Sequence, residues 1–183
     1  MSDLAKQFLT IDYLRDGNLR QQEAFHVISE LGVMLDLSEY SPILCGTIPL
    51  QIDLPYSDLD IIMEVSAFTT FEAKLVTLYS QMKEFRIKSY LLNGDIVTKT
   101  NFNYHGFAFE LFGQNQPVDQ QNAYLHMVIE AKLLDQDPKR RQSIVDLKQQ
   151  GYNTEAAFCQ VLGLLGNDPF QLLLQYGKNN HLI

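Results

Sequence analysis

Two aspartates one residue apart open an apolar run in "YSDLDIIME", Tyr56 to Glu64. In a β-strand, residues i and i+2 emerge on one face. Asp58 and Asp60 therefore stand side by side, while Leu59, Ile61 and Met63 take the other face and can pack in a core. Two carboxylates held this close repel each other unless a cation lies between them. Hard divalent ions such as Mg²⁺ bind oxygen ligands and keep positions open for phosphate oxygens. Upstream, Gly46-Thr47 follows the short apolar run "SPILC". A glycine after a strand lets the backbone turn sharply and approach a ligand. The N–H groups that follow, and the Thr47 hydroxyl, are donors suited to a phosphate. Glu110 is the sole charge in the apolar strand "FAFELFG", Phe107 to Gly113. A carboxylate there costs free energy unless it is paired or coordinated. If its strand lies beside that of Asp58, three carboxylates meet; otherwise a partner such as Lys99 or Arg86 satisfies it.

The elements that must hold these residues are legible from periodicity and turn chemistry. Residues 3–15 and 19–36 read as helices, the second with Ala24, Phe25, Val27, Ile28, Leu31, Met34 and Leu35 near helical spacing. Residues 41–45 and 58–65 read as strands, separated by a loop with Gly46, Pro49 and Pro55. A helix over 68–82 follows, then strands at 84–92, 95–104 and 107–113. The first pair of these turns at Asn93-Gly94, where both residues tolerate positive φ, and the second pair turns at His105-Gly106. After Pro117 the pattern is helical: 118–135, a segment from Pro138 that Gly151 ends, a helix from Thr154 to about Leu165, and 168–177. The fold class is α+β, a mixed five-strand sheet with flanking helices and a helical C-terminal segment. The expected organisation is an α+β domain over 1–116 with helices 117–183 packed on it.

Gly46-Thr47, then Ser57-Asp58-Leu59-Asp60, then an acid on a later strand resembles the nucleotidyltransferase superfamily of the DNA polymerase β type. Small members carry Gly-Ser, a spacer, Ser-Asp-x-Asp and a further strand carboxylate. The resemblance covers roughly residues 40–113. The whole chain also resembles a bacterial family, domain of unknown function family 4269, through "GTIPLQIDLPYSDLDI", "QQNAYLHMVIEAKLL" and "TEAAFCQVLGL". The superfamily resemblance implies that Asp58 and Asp60 hold Mg²⁺ or Mn²⁺ ions that bind a nucleoside triphosphate. It implies that Glu110 is the third ligand, or the base for an acceptor hydroxyl. Gly46, Thr47 and Ser57 form the implied nucleotide-binding set. Thr47 replaces the usual Ser and keeps the hydroxyl. Pro49-Leu50-Gln51 stands where small members often carry Ala-Arg-Gly, so a cation near the phosphates is missing. Glu110 replaces an Asp of many members and shifts the carboxylate by one methylene.

Several other features have plainer readings. Asp135-Gln136-Asp137-Pro138 repeats Asp-x-Asp at a helix end, with Asp137 placed to cap the next helix. The motif alone therefore proves little. His126/Glu130 and His26/Glu30 are i, i+4 pairs, ordinarily surface contacts, and no third ligand is evident beside either. Lys139-Arg140-Arg141 reads as a solvated first helical turn, although cations are electrostatically mismatched there and so favour an anionic partner. Gln120, Gln121, Asn122 and Tyr124 form a polar helix start that reads as ordinarily exposed, the alternative being that they face the cleft and read an acceptor or base. The aromatics of 102–112 read as core.

The chain has 183 residues, 46% of them hydrophobic, with a formal net charge of −8 and a pI of about 4.9. Such a balance argues against nonspecific nucleic-acid binding, which relies on neutralising many phosphates, and makes a long nucleic acid the least favoured acceptor. Cys45 and Cys159 lie outside any CxxC or CxxH spacing, which argues against a structural zinc site built on thiolates. The start "MSDLAKQFLTIDYL" has no secretory pattern, and no apolar run approaches the roughly 20 residues of a membrane helix; a reducing cytoplasm is the expected setting. The expected function is transfer of a nucleotidyl group from a nucleoside triphosphate to a hydroxyl acceptor. The alternative is a nucleotide-sensing or protein-interaction module on the same fold, without turnover.

Overall fold

The computed structural model describes residues 3–183. Its centre is a five-strand mixed sheet with order β1-β2-β5-β4-β3, formed by β1 (Ile43–Cys45), β2 (Leu59–Glu64), β3 (Lys83–Leu92), β4 (Asp95–Tyr104) and β5 (Phe107–Gln114). β2 and β5 run parallel, with Asp60 opposite Glu110. The other pairings are antiparallel. β3 and β4 turn at Asn93-Gly94 (φ 54° and 96°), and β4 and β5 at His105-Gly106 (φ 43° and 84°). Both two-residue turns use the positive φ that the right-handed strand twist requires.

The pleat sorts side chains onto two faces. Leu59, Ile61 and Met63 of β2 join Phe107, Phe109 and Leu111 of β5 in one core. Helices α2 (Leu19–Leu31), α3 (Val33–Asp36) and α4 (Phe68–Tyr79) close it through residues such as Ile28, Val33, Phe71 and Leu75. On the other face, Ile62 packs in a second core with α5 (Asn122–Gln136), α6 (Arg140–Gln149), α7 (Thr154–Leu162) and α8 (Pro169–Asn179). Ala5 of α1 (Asp3–Gln7) and the nearby Phe8 join that second core. The helical layer is thus built from both ends of the chain. Each core is apolar and almost fully dehydrated, and this burial is the main stabilising term for a chain of this size.

The element bounds depart from expectation where local chemistry competes with the helix. The segment 3–15 does not run through: α1 stops at Gln7 and a single 3-10 turn forms at Asp12–Leu14. There the Thr10 hydroxyl donates to the Asp12 carboxylate and accepts from the Asp12 N–H, the kind of local side-chain bond that diverts backbone from a helix. The segment 19–36 divides at Gly32, whose φ of 75° caps α2. α5 starts at Asn122 after a separate 3-10 turn. Asp137 bonds the Lys139 N–H, so the turn before α6 is capped and the helix starts at Arg140.

Candidate functional site

β2 begins at Leu59, so Asp58 sits one residue before the strand. Asp58, Asp60 and Glu110 each offer an oxygen, and these atoms lie within 4.8 Å of one another. Glu110 reaches them because β5 is the parallel neighbour of β2 and stands in register with it. It does not point into the core. On the same face, β4 supplies Lys99, whose Nζ lies 2.5 Å from Glu110 Oε2, and Asn101, whose Nδ2 donates to Glu110 at 3.4 Å. Arg86 takes no part in the described contacts of Glu110. Burial, reinforced by Asp58 and Glu110, pushes the Asp60 carboxyl up to about 7. The cluster is short of positive charge, and a divalent cation fits its all-oxygen donor set.

Gly46 is fixed by this cluster. Its φ is 84°, and a Cβ on it would sit 2.5 Å from Asp60 Oδ2. Only glycine lets the loop after β1 pass so close to the carboxylate. Thr47 Oγ1 donates to Ser57 Oγ at 3.2 Å, and Ser57 Oγ accepts from the Leu54 N–H at 2.9 Å. These bonds tie the two ends of the 46–57 loop together. The loop turns once after Gly46, with Leu50, Gln51 and Ile52 donating back to Thr47 and Ile48. Buried Gln21 of α2 donates to the Ile48 and Pro49 carbonyls at 3.0 and 3.2 Å. Pro49-Leu50-Gln51 is therefore an anchoring turn.

The three acids stand in a cleft of about 1000 Å³ between the sheet and the C-terminal helices. Gly46, Thr47 and Ser57 line it too. Its helical wall holds a pair expected at the surface. His126 and Glu130 of α5 are not surface groups; both are 4% exposed. Glu155, in the first turn of α7, completes a group whose ligand atoms lie within 4.8 Å of one another. His126 Nδ1 is 3.8 Å from Glu155 Oε1, and neither ring nitrogen has a hydrogen-bond partner. Burial draws the imidazole down to about 4, so it is uncharged near neutrality. Burial and the nearby Glu155 push the Glu130 carboxyl well above its usual range. The i, i+4 spacing was the signal; the third ligand sits 25 residues further on, on another helix.

A cation also lines the cleft where none was expected. Lys148 of α6 is 8% exposed and donates to the Ile52 carbonyl at 2.8 Å. Burial draws it down, against the charges of Glu130, Asp53, Glu155 and Asp58. Arg140 and Arg141, by contrast, bond the Leu133 and Leu50 carbonyls. They secure the backbone, and their place near a helix start needs no anionic partner. Gln121 is buried, donating to the Met63 and Gln116 carbonyls, and Tyr124 is buried with its hydroxyl on the Ala5 carbonyl. The polar start of α5 is thus only partly exposed. Phe102, Phe107 and Phe109 are core, whereas Phe112 lines the cleft. His26 packs edge-on to Phe25, and Glu30 meets His105 Nδ1 at 3.4 Å.

The strand order and the flanking helices define a nucleotidyltransferase-like α+β fold. A chain of the GLD-2/RNP-8 complex superposes with a TM-score of 0.58 at 16% identity, covering 97% of this chain and 72% of that one. Cid1, described for its RNA terminal uridylyl transferase activity, gives 0.53 at 11% identity, over 79% of this chain and 46% of its own. The GLD-2–GLD-3 non-canonical poly(A) polymerase complex gives 0.50 at 15% identity, over 79% and 49%. The chain spans under half the length of these last two. Likeness at such identity is likeness of fold. By sequence, no curated protein matches. A family profile does match, over residues 26–176, and the chain belongs to that family, the domain of unknown function DUF4269. The relatives named act on RNA or make polynucleotides, so they lend no support to ranking a long nucleic acid last among acceptors. Among the described residues, no helix is long and apolar enough to cross a membrane.

Proposed function

We propose that this protein is a metal-dependent nucleotidyltransferase that moves a nucleotidyl group from a nucleoside triphosphate to a hydroxyl acceptor. One observation carries the reading: Asp60 and Glu110 from two strands paired in parallel, with Asp58 just before the first of them, converge beside the Gly46-Thr47 turn at one wall of a large cleft. Asp58 and Asp60 would hold Mg²⁺ or Mn²⁺, with Glu110 as the third ligand or as the base. The ion, when bound, supplies electrostatic stabilisation of the attacking and leaving oxygens. Thr47 and the N–H groups after Gly46 orient the β- and γ-phosphates, and Ser57 holds the Thr47 hydroxyl in place. The acceptor oxygen forms a bond to the α-phosphorus, the bond from that phosphorus to the bridging oxygen breaks, and pyrophosphate leaves. The acceptor proton passes to Glu110 or to water.

The Lys99–Glu110 contact favours the second reading, a nucleotide-binding module without turnover. The ammonium must be displaced before this carboxylate can meet a metal ion or an acceptor hydroxyl. One experiment separates the two. Mg²⁺ and each nucleoside triphosphate are titrated into wild type and into the variant carrying Asp58→Asn and Asp60→Asn, and pyrophosphate release is followed over a panel of hydroxyl acceptors. The expected result is nucleotide binding that weakens on the order of 100-fold in the variant, with pyrophosphate released by wild type alone. Equal binding by both proteins would sink the site. Binding without release on every acceptor would favour the module.

A further inference from the structure

We propose that the helical wall of the cleft carries a second metal site, with His126, Glu130 and Glu155 as ligands to a transition ion such as Zn²⁺ and one position left open to the cleft. The site goes beyond the proposed activity, which needs only the strand acids. Its ligand atoms converge within 4.8 Å. The i, i+4 spacing sets His126 and Glu130 on one side of α5, and the first turn of α7 brings Glu155 across to them.

The second, independent observation is the state of His126. The ring is buried, both of its nitrogens lack a hydrogen-bond partner, and Nδ1 stands 3.8 Å from Glu155. A buried polar group without a partner is costly to keep, and a metal bond on one nitrogen satisfies it. The ring of Phe170 on α8 packs against the imidazole at 5.5 Å and limits its rotation. Glu130 and Glu155 repel each other, and Lys148 is the cation whose charge acts on both. Since Lys148 is bonded to the Ile52 carbonyl, two carboxylates face one ammonium and the pocket retains room for positive charge.

The donor types name the metal. An imidazole with two carboxylates suits zinc and its transition neighbours, whereas an all-oxygen set such as Asp58, Asp60 and Glu110 suits magnesium. Three protein ligands and an open fourth position are the pattern of a zinc ion that meets a bound molecule. Ligands on a tetrahedral zinc stand roughly 3.3–3.5 Å apart, so a modest inward movement of side chains completes the shell. All three residues line the cleft, so the open position faces whatever enters it.

The test is a Zn²⁺ titration of the metal-stripped protein in saturating Mg²⁺, by calorimetry and by elemental analysis after gel filtration. One Zn²⁺ per chain is expected in wild type, and likewise in the variant carrying Asp58→Asn and Asp60→Asn. His126→Ala or Glu130→Gln is expected to weaken binding on the order of 100-fold or more. No binding by wild type would overturn the site, as would affinity unchanged by His126→Ala or lost with the strand aspartates. Because His126 and Glu130 are buried, X-ray absorption of Zn²⁺-loaded wild type gives a readout that needs no variant. A shell with one imidazole is expected, and an all-oxygen shell refutes the assignment. Nucleotide titration in Mg²⁺ alone tests the proposed transferase separately, so either reading can fail without the other.

Discussion

Asp60 and Glu110 stand on paired strands with Asp58 one residue before the first, while His126, Glu130 and Glu155 stand on two helices, and both groups line one cleft. The strand acids are partly open to solvent and have a lysine and an asparagine from β4 beside them. His126 and Glu130 are buried, and the imidazole has no hydrogen-bond partner. The backbone accounts for the contrast. Extended chain entering a strand delivers two carboxylates to one face through a period of two, and needs a neighbouring strand for the third. A helix brings i and i+4 together, but whether that side is wet depends on what packs over it. The ion preferences proposed for the two clusters rest on the same difference: oxygen ligands alone on the sheet, a nitrogen added on the helices.

The largest expected effect comes from the cation near both groups. Lys148→Met leaves buried Glu130 and the half-buried Glu155 and Asp53 without their nearby ammonium, and should cost about 3 kcal/mol in urea unfolding of the metal-free protein. If Lys148 serves the helix side, adding Glu130→Gln should recover at least about 1 kcal/mol of that loss. No recovery would move the lysine's role to Asp53 or Asp58.

Gly46→Ala tests the sheet side. A Cβ against Asp60 Oδ2, at a φ of 84°, should cost about 2 kcal/mol. It should also lower the Mg²⁺ response while leaving Zn²⁺ binding intact. Equal loss at both sites would mean that the two walls are not independent.

Proton linkage separates Asp60 from His126 by sign. The Asp60 carboxyl is raised from 3.8 to about 7 by burial and by its acidic neighbours. Its contribution to stability is fully present below pH 3.8 and is lost as pH rises through about 7. His126 is lowered from 6.5 to about 4 by burial. Its contribution is present above pH 6.5 and is lost as pH falls through about 4. Glu130 and Glu155 are raised, chiefly by burial, and act in the same direction as Asp60. In metal-free protein, Asp60→Asn should flatten the fall toward pH 7 and stabilise the fold there by about 1–2 kcal/mol. His126→Gln should remove the opposing rise between pH 4 and 6.5. Thermal melts across pH 4–8 read both, and identical profiles for the two variants would break the distinction.

The smallest effect belongs to the other Asp-x-Asp. Asp137→Ala removes the side chain that accepts the Lys139 N–H and should cost about 0.5–1 kcal/mol. Metal and nucleotide titrations should not change. A change would mean that the motif itself, and not its place on the sheet, had been the signal.

Much of this was legible in local pattern. The alternation of Asp58, Asp60 and Glu110 with apolar neighbours placed each acid on its face, and the Asn93-Gly94 and His105-Gly106 turns fixed β3, β4 and β5 as a meander. The reading of His126 and Glu130 failed for a specific reason. Two polar residues at i, i+4 on one side of α5, with no third ligand nearby in sequence, read as a surface pair. α7 and α8 cover that side, with Glu155 and Phe170 against His126 and Gly177 closely packed on Ile129. α5 is therefore buried nearly all round. Lys148 was missed likewise, since a lone lysine on a polar helix carries no mark of the carbonyl it will meet.

The sequence by itself determined which residues share a face, where the chain turns, and that an acidic strand follows a glycine turn. These are short-range consequences of pleat, helical pitch and φ. Only the tertiary structure decided that β2 and β5 pair in parallel and in register, bringing Glu110 to Asp60 across fifty residues. It alone decided that helices from the far end of the chain close over α5 and make a second cluster. Faces are set by local periodicity; which faces meet is set by the burial of apolar surface contributed from distant parts of the chain.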